Sequence, residues 1–86
     1  MTLTLPSHVS ATDVEDELVL LNERDGRYWH LNRTGAKILR LLLAGHSPEE
    51  SARLLTRDCP DAAERALADV RALLESLRAS RLVKPS

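Results

Sequence analysis

Three histidines, His8, His30 and His46, one cysteine, Cys59, and one pair of aromatic rings, Tyr28 and Trp29, are the residues of this chain whose types could do chemistry. A metal site needs its ligands gathered in a tetrahedral or similar set. The histidines are widely separated and share no ligand spacing with Cys59, so no metal site is expected. A cysteine nucleophile needs an activating base and a substrate pocket. Cys59 has neither signature; it lies before Pro60 at a helix boundary and reads as a small hydrophobe or a partly exposed thiol. Gly26, Gly35 and Gly45 stand singly, which excludes a phosphate loop and a dinucleotide fingerprint. No catalytic residue and no cofactor are expected, and the chain does not read as an enzyme. What remains is recognition, and it centres on Arg27-Tyr28-Trp29-His30-Leu31. In a strand these side chains alternate, with Trp29 and Leu31 on one face and Tyr28 and His30 on the other. The expectation is a sheet edge that receives another chain.

The elements around this run are legible from their neighbours. Asp25-Gly26 precedes it and Leu18-Val19-Leu20-Leu21 precedes that, the pattern of a hairpin whose glycine supplies a positive φ. The polar Asn22-Glu23-Arg24 point to a loop longer than two residues. His8 to Thr12 is a candidate first strand, Asp13 to Asp16 an acidic turn, Leu18 to Leu21 the second strand and Arg27 to Leu31 the third. Sequential strands with short turns usually pair, so a three-stranded antiparallel sheet is expected. Residues 1–7, with Pro6 and Ser7, read as a flexible arm.

The rest of the chain is helical. Asn32 is the expected N-cap of a first helix, with Thr34 a rival one turn inward, and Gly45 the expected end. Ile38, Leu39 and Leu42 share its inner face. Ser47-Pro48-Glu49-Glu50 is the clearest local signal: a serine cap, a proline in the first turn and an acid placed to reach back. Ala52, Leu54 and Leu55 form the inner face of this second helix, which Pro60 stops at about Asp58. A third helix is expected from about Asp61 to Ala79, with Ala63, Ala66, Leu67, Val70, Leu73, Leu74 and Leu77 in a broad apolar stripe. Leu82-Val83 form a docking tail.

Composition bounds the class. The chain has 86 residues, 43% hydrophobic, with twelve basic against thirteen acidic residues and a formal charge of -1. That suits one folded domain over residues 1–86, with its core at about 8–84. A dedicated phosphate-backbone binder is usually more basic. No long apolar run provides a membrane span, the first residues lack the features of a secretion signal, and a single cysteine fits a reducing compartment; a cytoplasmic location is expected.

Tyr28-Trp29-His30-Leu31-Asn32-Arg33-Thr34-Gly35-Ala36-Lys37-Ile38 resembles the signature of the PqqD-like proteins, also called RiPP recognition elements. Their strand ends in a Leu-Asn pair, followed by a small residue and a helix with an inward Ile. Asp69 to Leu77, followed by Leu82-Val83, resembles the family's last helix and tail. The resemblance covers residues 8 to 84 and rests on the order and spacing of short motifs. It implies an α+β, winged-helix-like fold: a three-stranded antiparallel sheet followed by three helices. It also implies non-catalytic binding of the leader segment of a ribosomally made precursor peptide, by strand addition in a groove between the third strand and third helix. Carried over, the groove residues are Arg27, Tyr28, Trp29, His30, Leu31, Asp69, Val70, Leu73 and Leu77. One arrangement packs Trp29 in the core with Leu31 and leaves Tyr28 on a semi-exposed face; a second, compatible with it, makes Tyr28 and His30 the floor of that groove. The standalone size is similar to the small protein of lasso-peptide systems, which serves a cysteine-protease-like leader peptidase before an ATP-dependent macrolactam synthetase acts. The alternative within the family is the pyrroloquinoline-quinone protein, a peptide chaperone that serves a radical-SAM enzyme. The chain departs from the family's frequent ending, in which glycine precedes the last Leu pair; here Ser80-Arg81 stand before Leu82.

Two readings outside the family compete. A winged-helix DNA-binding protein fits the topology and the recurrence of Arg33, Lys37 and Arg40 on the first helix, although these also fit an ordinary solvated face. A dimerisation module fits exposed apolar strand and helix residues.

Overall fold

The computed structural model describes residues 3–58, 60–62 and 64–85. Five strands and three α-helices follow in the order β1 (Leu3–Thr4), β2 (Val9–Val14), β3 (Glu17–Asn22), β4 (Arg27–Leu31), α1 (Arg33–Leu43), α2 (Pro48–Asp58), α3 (Ala66–Ala79) and β5 (Lys84–Pro85). β2, β3 and β4 form an antiparallel sheet in that order, and β1 pairs with β5. This is the expected α+β, winged-helix-like arrangement.

The expected strands extend further than their apolar residues. Asp13 and Val14 were expected in the turn, but they continue the ladder, with Val14 opposite Glu17. The link is only Glu15-Asp16, and Glu15 takes the positive φ, 58°, that so tight a connection needs. Pairing along the ladder therefore outweighs the weak strand preference of aspartate. The β3–β4 loop is the longer one, closed by Gly26 at φ 73°. Asn22 Oδ1 accepts from the Arg24 N–H and Asp25 Oδ1 from the Arg27 N–H, both at 3.0 Å, so two short polar side chains fix the turn.

The helix signals act as their chemistry requires. Asn32 Oδ1 accepts from the Gly35 N–H at 2.9 Å, which makes Asn32 and not Thr34 the cap of α1. At α2, Ser47 and Glu50 exchange backbone-to-side-chain bonds of 3.1 and 3.2 Å, a complete capping box. Arg71 of α3 reaches Glu49 at 3.0 Å. Backbone hydrogen bonding first, and this guanidinium second, hold the Glu49 carboxyl below the usual glutamate range. The third helix starts later than expected. Pro60–Ala62 make a separate 3-10 turn, and α3 begins at Ala66 without a side-chain cap. Ala63 and Cys59 lie outside the described residues.

The arm expected over residues 1–7 is corrected in part. Leu3 is buried and pairs with Pro85, and Thr4 pairs with Lys84, because burying leucine beside the docked Leu82 and Val83 outweighs the turn preference of Pro6-Ser7. One apolar cluster runs from Leu3 through Leu18, Leu20 and Leu31 to Leu39, Leu42, Leu55, Val70, Leu77 and Leu82.

Candidate functional site

β4 is an edge. Its pairing partner is β3, with Leu20 opposite Trp29 and Leu18 opposite Leu31, and no described strand lies on its other side. β2 is the opposite edge, but Ala11, Thr12, Asp13 and Val14 are all exposed, so that edge borders no sheltered surface. The two edges differ in what lies beside them.

Along β4 the burial alternates as strand geometry dictates. Leu31 is buried, Trp29 is half-buried and packed on the core, and Arg27 continues the same face at the surface. Tyr28, at 70% exposure, and His30 point the other way. The His30 imidazole meets Glu17 at 2.5 Å on that outer face, in the company of the half-buried Val19 and Leu21. Tyr28 and His30 thus lie on the outer sheet face, as in the arrangement that packs Trp29 with Leu31. α1 covers the Trp29–Leu31 face, because Leu18, Leu20 and Leu31 carry apolar surface that joins the helices in one core.

A cleft of ≈ 420 Å³ opens where β4 begins and α3 ends. Arg27, Trp29, Asn22, Arg24 and His8 line it from the sheet side, and Ala79, Ser80 and Arg81 from the helix side. Helical spacing sets Asp69, Leu73 and Ser76 on the flank of α3 that runs down to Ser80. Asp69 is exposed and Leu73 half-buried. Val70, fully buried, and Leu77, 2% exposed, are core residues. The structure sets Arg27 and Trp29 in the cleft, buries Leu31, Val70 and Leu77, turns Tyr28 and His30 to the outer sheet face, and leaves Asp69 and Leu73 outside the residues that line the cleft. Sequence reasoning missed His8, Asn22, Arg24 and the end of α3. Only the unusual Ser80-Arg81 pair carried a signal for any of them.

Arg81 is the strained residue of the site. α3 ends in a Schellman turn: the Leu82 N–H donates to the Leu77 carbonyl at 2.9 Å and the Arg81 N–H to the Arg78 carbonyl at 3.0 Å. The residue at this bend must be left-handed, and Arg81 has φ 58°. α1 ends in the same turn, with bonds from His46 to Leu41 and Gly45 to Leu42, but there Gly45 takes the bend. A non-glycine residue in this conformation costs about 1 kcal/mol.

The cations that suggested a DNA surface are engaged elsewhere. Arg33 lies 3.7 Å from Asp16, and Arg40 bonds Asp13, so α1 is tied to the β2–β3 hairpin through them. Among the described residues no group of three or more His, Cys, Asp or Glu could hold a metal, and no helix is long and apolar enough to cross a membrane.

A small sheet with a free edge, opening onto a helix-walled cleft and packed in a winged-helix-like way, defines a recognition domain and not a catalytic one. Residues 17–83 match the family described as coenzyme PQQ synthesis protein D (PqqD). The chain belongs to the PqqD family, the RiPP recognition elements, whose members are non-catalytic. Two solved structures are similar over nearly the full length of both partners. A lasso peptide synthetase B1 complexed with its leader peptide is 35% identical, with a TM-score of 0.87, covering 99% of this chain and 100% of that one. TbiB1 in complex with the TbiA(beta) leader peptide is 27% identical, with a TM-score of 0.83, covering 100% of this chain and 98% of that one. No curated protein matches significantly.

Proposed function

We propose that this protein binds the leader segment of a lasso-peptide precursor by strand addition along β4. The observation that carries the reading is the free edge from Arg27 to Leu31, which opens onto the cleft beneath the end of α3. An unpaired edge offers a row of N–H and C=O groups to an extended peptide, and alternate side chains of that peptide fall into neighbouring pockets. Main-chain pairing is nearly blind to sequence. In this reading Trp29, Leu73 and the residues at the α3 end supply the selectivity. Likeness to two leader-bound proteins over nearly the whole chain supports the lasso-peptide assignment over the pyrroloquinoline-quinone one. In this reading the protein works in the cytoplasm. It presents the precursor to a cysteine-protease-like leader peptidase, after which an ATP-dependent macrolactam synthetase closes the ring.

Amide exchange tests the placement. The probe is the leader encoded by a precursor gene adjacent to the gene for this chain. Its addition is expected to protect amides across Arg27 to Leu31. Protection confined to α1 would defeat the assignment.

A further inference from the structure

The cleft at the start of β4 adjoins a second one of ≈ 340 Å³, and the two share His8, Arg24 and Arg81. Together they are bordered by Arg24, Arg27, Arg78, Arg81 and Lys84, against Asp25 as the one acid among the described lining residues. This contrasts with the chain as a whole, which carries a formal charge of -1. It contrasts also with the other end of the sheet, where Arg33, Arg40 and His30 each meet a carboxylate. Among the described residues Arg24, Arg27, Arg81 and Lys84 make no ion pair. Like charges gathered around one concavity repel, and a negative ligand relieves that repulsion.

The C-terminal carbonyls of α3 account for part of the cluster, since a helix end favours nearby cations. Arg78, in the last turn, meets that need. Arg24, Arg27 and Lys84 come from other elements. Arg81 occupies a backbone position that glycine fills at the matching end of α1. A strained residue whose side chain borders both clefts points to a use for that side chain.

We infer that the Arg27–Arg81 cleft selects an acidic side chain, aspartate or glutamate, in the bound peptide, at the end of the paired segment that lies beside Arg27. The inference rests on the peptide-binding reading above. A leader continues into the rest of its precursor, so its carboxylates are side chains and not a chain end. Continuity of the cleft with the edge strand favours a peptide over a phosphate backbone.

The test is selection from a randomised decapeptide library, displayed with a blocked C-terminus, on the wild type, on R27E/R81E and on R81G. The wild type is expected to enrich Asp or Glu at one end of the consensus, and R27E/R81E to replace it with Lys or Arg. R81G relieves the backbone, so its melting temperature is expected to rise while its affinity for the wild-type consensus peptide falls about tenfold. An Asp→Asn version of that peptide should bind wild type and R81G alike, and R81K should restore most of the acidic preference. A consensus with no acidic position overturns the inference alone, as does an acidic consensus that survives charge reversal, or an R81G variant that binds the acidic peptide as tightly as wild type. Duplex DNA binding lost in R27E/R81E, without acidic selection, also overturns it. Absence of any enriched peptide overturns the peptide-binding reading together with it.

Discussion

His30 separates backbone from side-chain recognition. Its imidazole sits on the outer sheet face with Glu17, away from the cleft, while its peptide unit lies within the free edge. His30→Ala keeps the N–H and removes an exposed side-chain contact with Glu17 worth about 0–1 kcal/mol. His30→Pro removes the N–H and restricts Trp29. The alanine variant is expected to bind leader within about twofold of wild type and the proline variant more than about tenfold more weakly. Titration calorimetry checks this, with thermal melting to confirm that the proline variant keeps its β3 pairing. Equal affinities in two folded variants would remove strand addition at this position. Cys59, at the α2 boundary, lies outside the described residues.

In the proposed binding mode α3 has two tasks for two of its faces. Val70, Leu74 and Leu77 fill the core, and the flank of exposed Asp69 and half-buried Leu73 is the proposed second wall of the groove. The same substitution therefore has different outcomes four residues apart. Leu77→Asp buries a carboxylate in the apolar cluster, where an unpaired charge costs several kcal/mol, comparable with the about 5–10 kcal/mol expected to hold such a domain together. It is expected to lose the cooperative melt seen by circular dichroism. Leu73→Asp leaves the charge at a half-exposed site. It is expected to remain folded and to weaken leader binding about tenfold, because the carboxylate must be desolvated beneath the peptide. A folded Leu73→Asp protein with unchanged affinity would take α3 out of the groove.

The chain closes on itself through its ends. β1 and β5 pair, Leu3 is 3% exposed, and Leu82 and Val83 are buried beside it. Leu82 is placed by the Schellman turn at Arg81, so the strained bend that borders the cleft also delivers the tail to the core. Leu3→Ala is expected to cost about 2–3 kcal/mol, since the site can collapse only partly. Denaturant unfolding measures it. A loss below about 0.5 kcal/mol would mean that the β1–β5 clasp contributes little.

Where chemistry was local, the residues themselves determined the outcome. Asn32, Ser47-Pro48-Glu49-Glu50 and Gly45 set helix ends through bonds within one turn, and the structure places them as their side chains require. The alternation of Arg27 to Leu31 likewise determined which residues share a face, because strand periodicity is a property of the backbone. Sequence could not decide which face the helices cover. That depends on the summed apolar area of Leu18, Leu20 and Leu31 against the helices, and it set Trp29 on the core and Tyr28 outside it. Nor could it place Leu3 against Leu82, or set His8, Arg24 and Arg27 beside Arg81, since those meetings join residues far apart in the chain. Only tertiary packing decides them. It brings an edge strand, a helix end and a cluster of cations to one cleft because burying the apolar faces leaves those elements nowhere else to go.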